Sequence, residues 1–237
     1  FLLFTYKKKF LIALYNSGLP GFIGGIILGC GFSAYVFAMY NTTVANANFI
    51  IQTQAIFLAI FGYLFLKEKI SKLTLVSIVL AISGILLMVG SSLSPGQLSG
   101  NLVALIMPCS FAVLIVIVRK YPNVDMIPLQ LFAGIVAMLI GYFISSKINI
   151  SMYDLILAFV AGFFQVGFGF IFITIGAKKT LSAMVGILMM TEAVFGPLWA
   201  WIFLDENPRL IALIGGFIIL FAVFIQFYSL LEKEKKT

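Results

Sequence analysis

Gly24-Gly25-Ile26-Ile27-Leu28-Gly29-Cys30-Gly31-Phe32 returns 138 residues later as Gly162-Phe163-Phe164-Gln165-Val166-Gly167-Phe168-Gly169-Phe170. The register holds without a gap as far as Glu68 and Glu206, with twelve of 45 positions identical. The matches further along are Thr42 with Thr180, Ala45 with Ala183, Thr53 with Thr191, Ala55 with Ala193 and Phe57 with Phe195, then Phe65-Leu66-x-Glu68 with Phe203-Leu204-x-Glu206. Shared composition yields stray Phe and Ala matches. It does not readily put a spaced glycine motif and a terminal Phe-Leu-x-Glu in one register.

The segments around the repeat are those of an all-α polytopic membrane protein. Of 237 residues, 62% are hydrophobic and 10% charged, with a mean hydropathy of +1.17, against roughly a quarter charged in a soluble domain. With about 20 apolar residues per bilayer crossing, eight spans are expected: 20–40, 45–66, 73–89, 102–118, 127–144, 155–175, 182–204 and 210–230. Barrel strands are shorter and alternate in polarity, so strands are excluded.

Lysine and arginine fall on alternate loops. Lys7, Lys8, Lys9, Lys67, Lys69, Lys72, Arg119, Lys120, Lys178, Lys179, Lys233, Lys235 and Lys236 occupy one set, and only Lys147 and Arg209 the other. That asymmetry predicts that the Lys7 loop and the C-terminus lie in the cytoplasm. The net charge of +7 therefore reads as orientation, not nucleic-acid binding. It also turns the repeat upside down, since Glu68 precedes a cytoplasmic loop and Glu206 an external one. Inverted halves are a recurrent construction of secondary transporters. The halves are expected at 1–98 and 99–237. The 102–118 and 127–144 spans have no partners in the first, which predicts two further helices before Phe1 and ten in all.

Ten helices in inverted halves of five, with Leu66-Lys67-Glu68-Lys69 and Leu204-Asp205-Glu206 closing the fourth helix of each, resemble the drug/metabolite transporter superfamily. Gly84, Glu192 to Pro197 and Gly215-Gly216 narrow the likeness to its EamA-type transporters. The resemblance implies export of small metabolites, amino acids or drug-like solutes across a cytoplasmic-type (inner or plasma) membrane by alternating access, with protons as a candidate coupling ion. A channel and a non-transporting membrane scaffold are the alternatives. Lipid and a small-molecule solute are the partners implied; a homodimer is left open.

Glu192 is the one ionisable residue well inside an expected span. Burial disfavours a charged carboxylate, and intramembrane acids are functional candidates. Its repeat partner is Gln54, on a polar helix with Asn46, Asn48 and Gln52; Asn48 and Gln52 share a face. Lipid cannot satisfy these amides, so they point to a solute pathway or to bonds between helices. Gln165, Tyr35 and Trp199, seven residues beyond Glu192, are further pathway candidates. Gly24, Gly29, Gly31, Gly162, Gly167 and Gly169 are expected to allow close helix packing. Pro108 and Pro197 are expected to kink their helices. The chain has no His, Cys30 and Cys109 show no ligand spacing, and no phosphate loop follows a strand. No enzyme, metal or cofactor is expected.

Overall fold

A computed structural model describes residues 6–89, 98–145, 150–204 and 210–234. Among them every regular element is helical. A 3₁₀ turn at Lys7–Lys9 leads into α1 (Phe10–Asn41), followed by α2 (Val44–Gln52), α3 (Gln54–Leu66) and α4 (Lys72–Val89). Next come α5 (Leu98–Ala104), α6 (Ile106–Lys120), α7 (Leu129–Ile144) and α8 (Met152–Val160). A π-helical segment, Ala161–Phe168, passes into α9 (Gly169–Ala177), and α10 (Ser182–Met189), α11 (Thr191–Leu204) and α12 (Leu210–Glu234) complete the order.

Five stretches are long and apolar enough to cross a membrane: Lys7–Asn41, Asn46–Leu66, Leu98–Lys120, Met152–Ala177 and Leu210–Tyr228. Three shorter apolar stretches, Lys72–Met88, Leu129–Ile144 and Ser182–Phe195, fall where the remaining expected spans lie. The protein is a multi-pass integral membrane protein. Lys147, Glu206, Arg209, Lys235 and Lys236 lie outside the described residues.

Local chemistry explains where helices start and break. Gly18 adopts φ 60°, ψ −165° inside α1, a conformation open essentially only to glycine. Pro20, which has no N–H to leave unpaired in a first turn, follows it. The expected start at Pro20 is thus the second part of a longer helix. Thr43 caps α2 by accepting from the Asn46 N–H at 3.1 Å, and Ser151 caps α8 through Asp154 N–H. Lys67, in the left-handed region at φ 55°, ends α3. Three residues before Pro108, Leu105 separates α5 from α6. That is where a proline without an N–H leaves the ladder broken. No such break accompanies Pro197: α11 runs on through it, and the interruption lies seven residues earlier, at Met190.

Inside a bilayer helices associate through close packing and polar bonds, not through exclusion of water. Small residues make the approaches. An ideal Cβ on Gly29 would fall 2.6 Å from the Ala133 carbonyl oxygen, and one on Gly31 would fall 2.8 Å from Ser110 Cβ. One on Gly24 would meet Ile117 at 3.2 Å. These contacts press α1 onto α6 and α7. The equivalent glycines depart from expectation. Gly162 and Gly169 have nothing within 4 Å, and Gly167 meets only the carbonyl of Gly162 at 3.1 Å. The reason is that Met152–Ala177 stands at the edge of the bundle, with 6% of its apolar window buried.

The core has two main parts. Leu28, Leu58, Phe111, Leu114, Ile115 and Leu129 join α1, α3, α6 and α7. Ala55, Ala81, Ile85, Met190, Ile219 and Ala222 join α3, α4 and α12 at the end of α10. The α4–α12 crossing rests on Gly84 and Gly215, each set against the other's carbonyl; a Cβ on Gly84 would lie 2.6 Å from Gly215 O. Gly84→Val is therefore expected to force these backbones apart, at a cost of about 3 kcal/mol, the upper end for overpacking. A thermal unfolding scan of the purified variant checks this; an unchanged midpoint would show that the helices slide apart freely.

Candidate functional site

The two helices matched by the 138-residue offset are both interrupted, and at one level. Between α2 and α3 the Thr53 N–H bonds Ile50 O at 3.0 Å, three residues back, and its hydroxyl bonds the same carbonyl at 2.5 Å. Between α10 and α11 the Met190 N–H bonds Ile187 O at 3.2 Å, and the Thr191 hydroxyl bonds Leu188 O at 2.7 Å. Thr53 and Thr191 are repeat partners, as are Ile50 and Leu188. A threonine bonded back onto its own helix loosens and bends the ladder, so the repeated residue carries a repeated local structure. The interruptions also meet in space. Gly186 of α10 packs on Ala55 of α3, where an added Cβ would fall 2.6 Å from Ala55 Cα, and Ala55 shares a buried cluster with Met190.

Beside this crossing three of the pathway candidates come together from three helices. The Tyr35 hydroxyl on α1 donates to Asn48 Oδ1 on α2 at 3.4 Å, a long and therefore weak bond. Glu192, second residue of α11, lies within electrostatic reach of the same phenol. Asn48 and Glu192 are exposed and Tyr35 half-buried. The phenol and the amide are thus hydrogen-bonded, and the carboxylate acts on the phenol electrostatically. Two of them come from before residue 99 and one from after it.

The other candidates lie elsewhere. Asn46 is buried and donates to Thr42 Oγ1 at 3.2 Å and Asn101 Oδ1 at 3.3 Å, while the Thr42 hydroxyl donates to Asn101 Oδ1 at 2.6 Å. This ties the α1–α2 turn to α5. Gln52 and Gln54 are buried, and Gln52 Oε1 has no hydrogen-bond partner. Among the described residues no hydrogen bond joins Gln54 to Glu192. Gln165 is exposed in the π-helical segment. Trp199 is also exposed and packs on Phe203, with ring centroids 5.7 Å apart.

A second polar cluster was not singled out from the sequence. Glu68, just past α3, accepts from Arg119 Nε at the end of α6, from the Ser182 N–H at 2.9 Å and from the Ser182 hydroxyl at 3.2 Å. Arg119 also donates to Ala177 O at 3.2 Å and to Thr180 O. The carboxylate therefore caps the N-terminus of α10 and the guanidinium the C-terminus of α9, each at the end its charge favours. Both side chains are largely buried, Arg119 at 16% and Glu68 at 10% exposure. Two signals in the sequence pointed here: Glu68 belongs to the repeated Phe-Leu-x-Glu, and Arg119 is one of only two arginines in a lysine-rich chain. Arginine's fixed fork suits a site with several acceptors.

A polytopic helical membrane bundle with two interrupted helices crossing in its interior is a construction that transport proteins use. The profile of the EamA-like transporter family matches residues 1–90 and 96–228, and the chain belongs to that family. It is similar to an uncharacterized transporter of Methanothermobacter thermautotrophicus, 26% identical over 201 residues, covering 80% of this chain and 58% of that protein. It is also similar to an uncharacterized transporter of Clostridium kluyveri, 23% identical over 238 residues, covering 94% of this chain and 76% of the other. The chain thus spans little more than half the length of the archaeal relative. A solved crystal structure of a protein superposes with a TM-score of 0.70 at 14% identity, over 97% of this chain and 94% of that one; that likeness concerns the fold.

Proposed function

We propose that this protein is a secondary transporter that exports small solutes bearing an amino group, by alternating access between inverted halves at 1–98 and 99–237. One observation carries the reading: Tyr35 and Asn48 of the first half are hydrogen-bonded at 3.4 Å, and Glu192 of the second acts electrostatically on the same phenol. A carboxylate there attracts an ammonium group or a proton, and the amide and phenol offer it further oxygen acceptors. The same acid serving solute and proton in turn gives exchange without a further site. The paired interruptions at Thr53 and Met190 are where the crossing helices flex. The Glu68–Arg119 cluster is the contact that parts when its end of the bundle opens. On the charge count that end is cytoplasmic.

The test is counterflow in proteoliposomes. Vesicles preloaded with unlabelled amino acids or amines should draw in the labelled compound above the empty-vesicle level, and an imposed pH gradient should change the rate. Flux at the empty-vesicle level across the panel defeats the reading in favour of a scaffold. Unitary conductance above carrier turnover defeats it in favour of a channel.

A further inference from the structure

An open groove of about 340 Å³ runs along the outside of the bundle at the end carrying Lys120. Its walls are Leu19 and Ile23 of α1, Phe61 and Phe65 of α3, and Val113 and Ile117 of α6, so it follows the seam where α6 meets the two earlier helices. From Val113 to Lys120 the helix rises by about 10 Å. Wall and mouth differ in kind: the wall is aliphatic and aromatic, and the mouth is formed by Lys120 and Tyr121.

The charge at the mouth is unbalanced for a physical reason. Asp125 is engaged by the Tyr6 hydroxyl and by the Ile127 N–H at 3.1 Å. Burial and that carboxylate hold the Tyr6 phenol well above its ordinary range, so it remains a donor. Glu68 is taken up by Arg119 and Ser182. Both neighbouring acids are thus turned inward. Lys120 and Lys67 are exposed, as are Lys7, Lys8 and Lys9, which the Tyr6–Asp125 bond holds beside the loop that follows Tyr121.

We propose that this groove is a binding site for one anionic phospholipid, with an acyl chain along the Phe61–Phe65 wall and the phosphate headgroup on Lys120. A zwitterionic lipid fits the wall equally well but gains little from the lysines. Each basic residue near an anionic surface favours the charged lipid by about fivefold. The site holds whether or not the chain moves solute.

Native mass spectrometry of the detergent-purified protein, titrated with phosphatidylglycerol or with phosphatidylcholine of the same chains, tests it. One phosphatidylglycerol per chain should be retained with at least fivefold preference. Lys120→Gln should bring the two lipids near parity, and Ile23→Trp, which fills the groove from a half-exposed position, should lower retention of both. Lys72→Gln, an exposed charge on α4 away from the groove, should change nothing. Equal retention of the two lipids by the unmodified protein overturns the proposal. So does a preference that survives Lys120→Gln, or one that Lys72→Gln reduces as much, since either assigns the attraction to a diffuse basic surface.

Discussion

Glu68→Ala is expected to lower stability by about 3 kcal/mol, the lower end of the range for breaking a buried ion pair, because both partners keep some exposure. The loss has two parts. Arg119 keeps its bonds to Ala177 O and Thr180 O but loses its counter-charge, and the first N–H of α10 loses its acceptor. Arg119→Ala should cost a similar amount, and the double variant less than the sum, with a coupling of about 1 to 3 kcal/mol for residues in direct contact. The more searching variant is the exchange, Glu68→Arg with Arg119→Glu. A plain ion pair survives exchange. Here the exchange puts a cation at the N-terminus of α10 and an anion against the C-terminal carbonyls of α9, so it should be no more stable than either single alanine variant. Chemical or thermal unfolding of the parent and the four variants in one detergent decides it. Recovery of the original stability in the exchanged protein would show that the pair acts by attraction alone and that the helix ends are incidental.

The spans were legible because bilayer thickness sets a length, and runs such as 155–175 satisfy it on hydropathy alone. What falls inside a span is harder to read. Nothing in the composition of Val44–Leu66 announces a break, since Thr53 is acceptable within a helix, and only its identity with Thr191 at the repeat offset marked the position. The glycine motifs show the opposite limit. The same spacing packs tightly against α6 and α7 in α1 and faces open space around Gly162 and Gly169, because a missing side chain permits an approach but does not supply a neighbour. Among the polar candidates, Asn46, Asn48, Gln52 and Gln54 lie close in sequence. The helical turn separates them into one exposed residue, Asn48, and three that are buried. Tyr35 and Asn48 meet only because the chain reverses at Thr42 and Thr43. Glu68 and Arg119 were counted as end-of-span charges, and a charge count is blind to which of them turn inward.

Glu192→Gln is expected to reduce solute counterflow at least tenfold while leaving the free energy of unfolding within about 0.5 kcal/mol of the parent, the range for exposed substitutions without a structural role. Glutamine keeps the size and polarity of the side chain, and Glu192 is exposed with no hydrogen bond to Gln54, so its fold contribution is small. Charge and the ability to exchange a proton are what it loses. If the carboxylate takes solute and proton in turn, the residual flux should also lose its response to an imposed pH gradient. The neighbours should matter less and differently. Asn48→Ala removes an acceptor from the solute, and Tyr35→Phe removes a hydroxyl whose bond to Asn48 is already long at 3.4 Å; each should raise the half-saturating solute concentration a few-fold and leave the pH response intact. A Glu192→Gln protein that exchanges solute at the parent rate, with the parent response to pH, would place the chemistry elsewhere. The acid would then be a polar group tolerated at the accessible face between α1, α2 and α11.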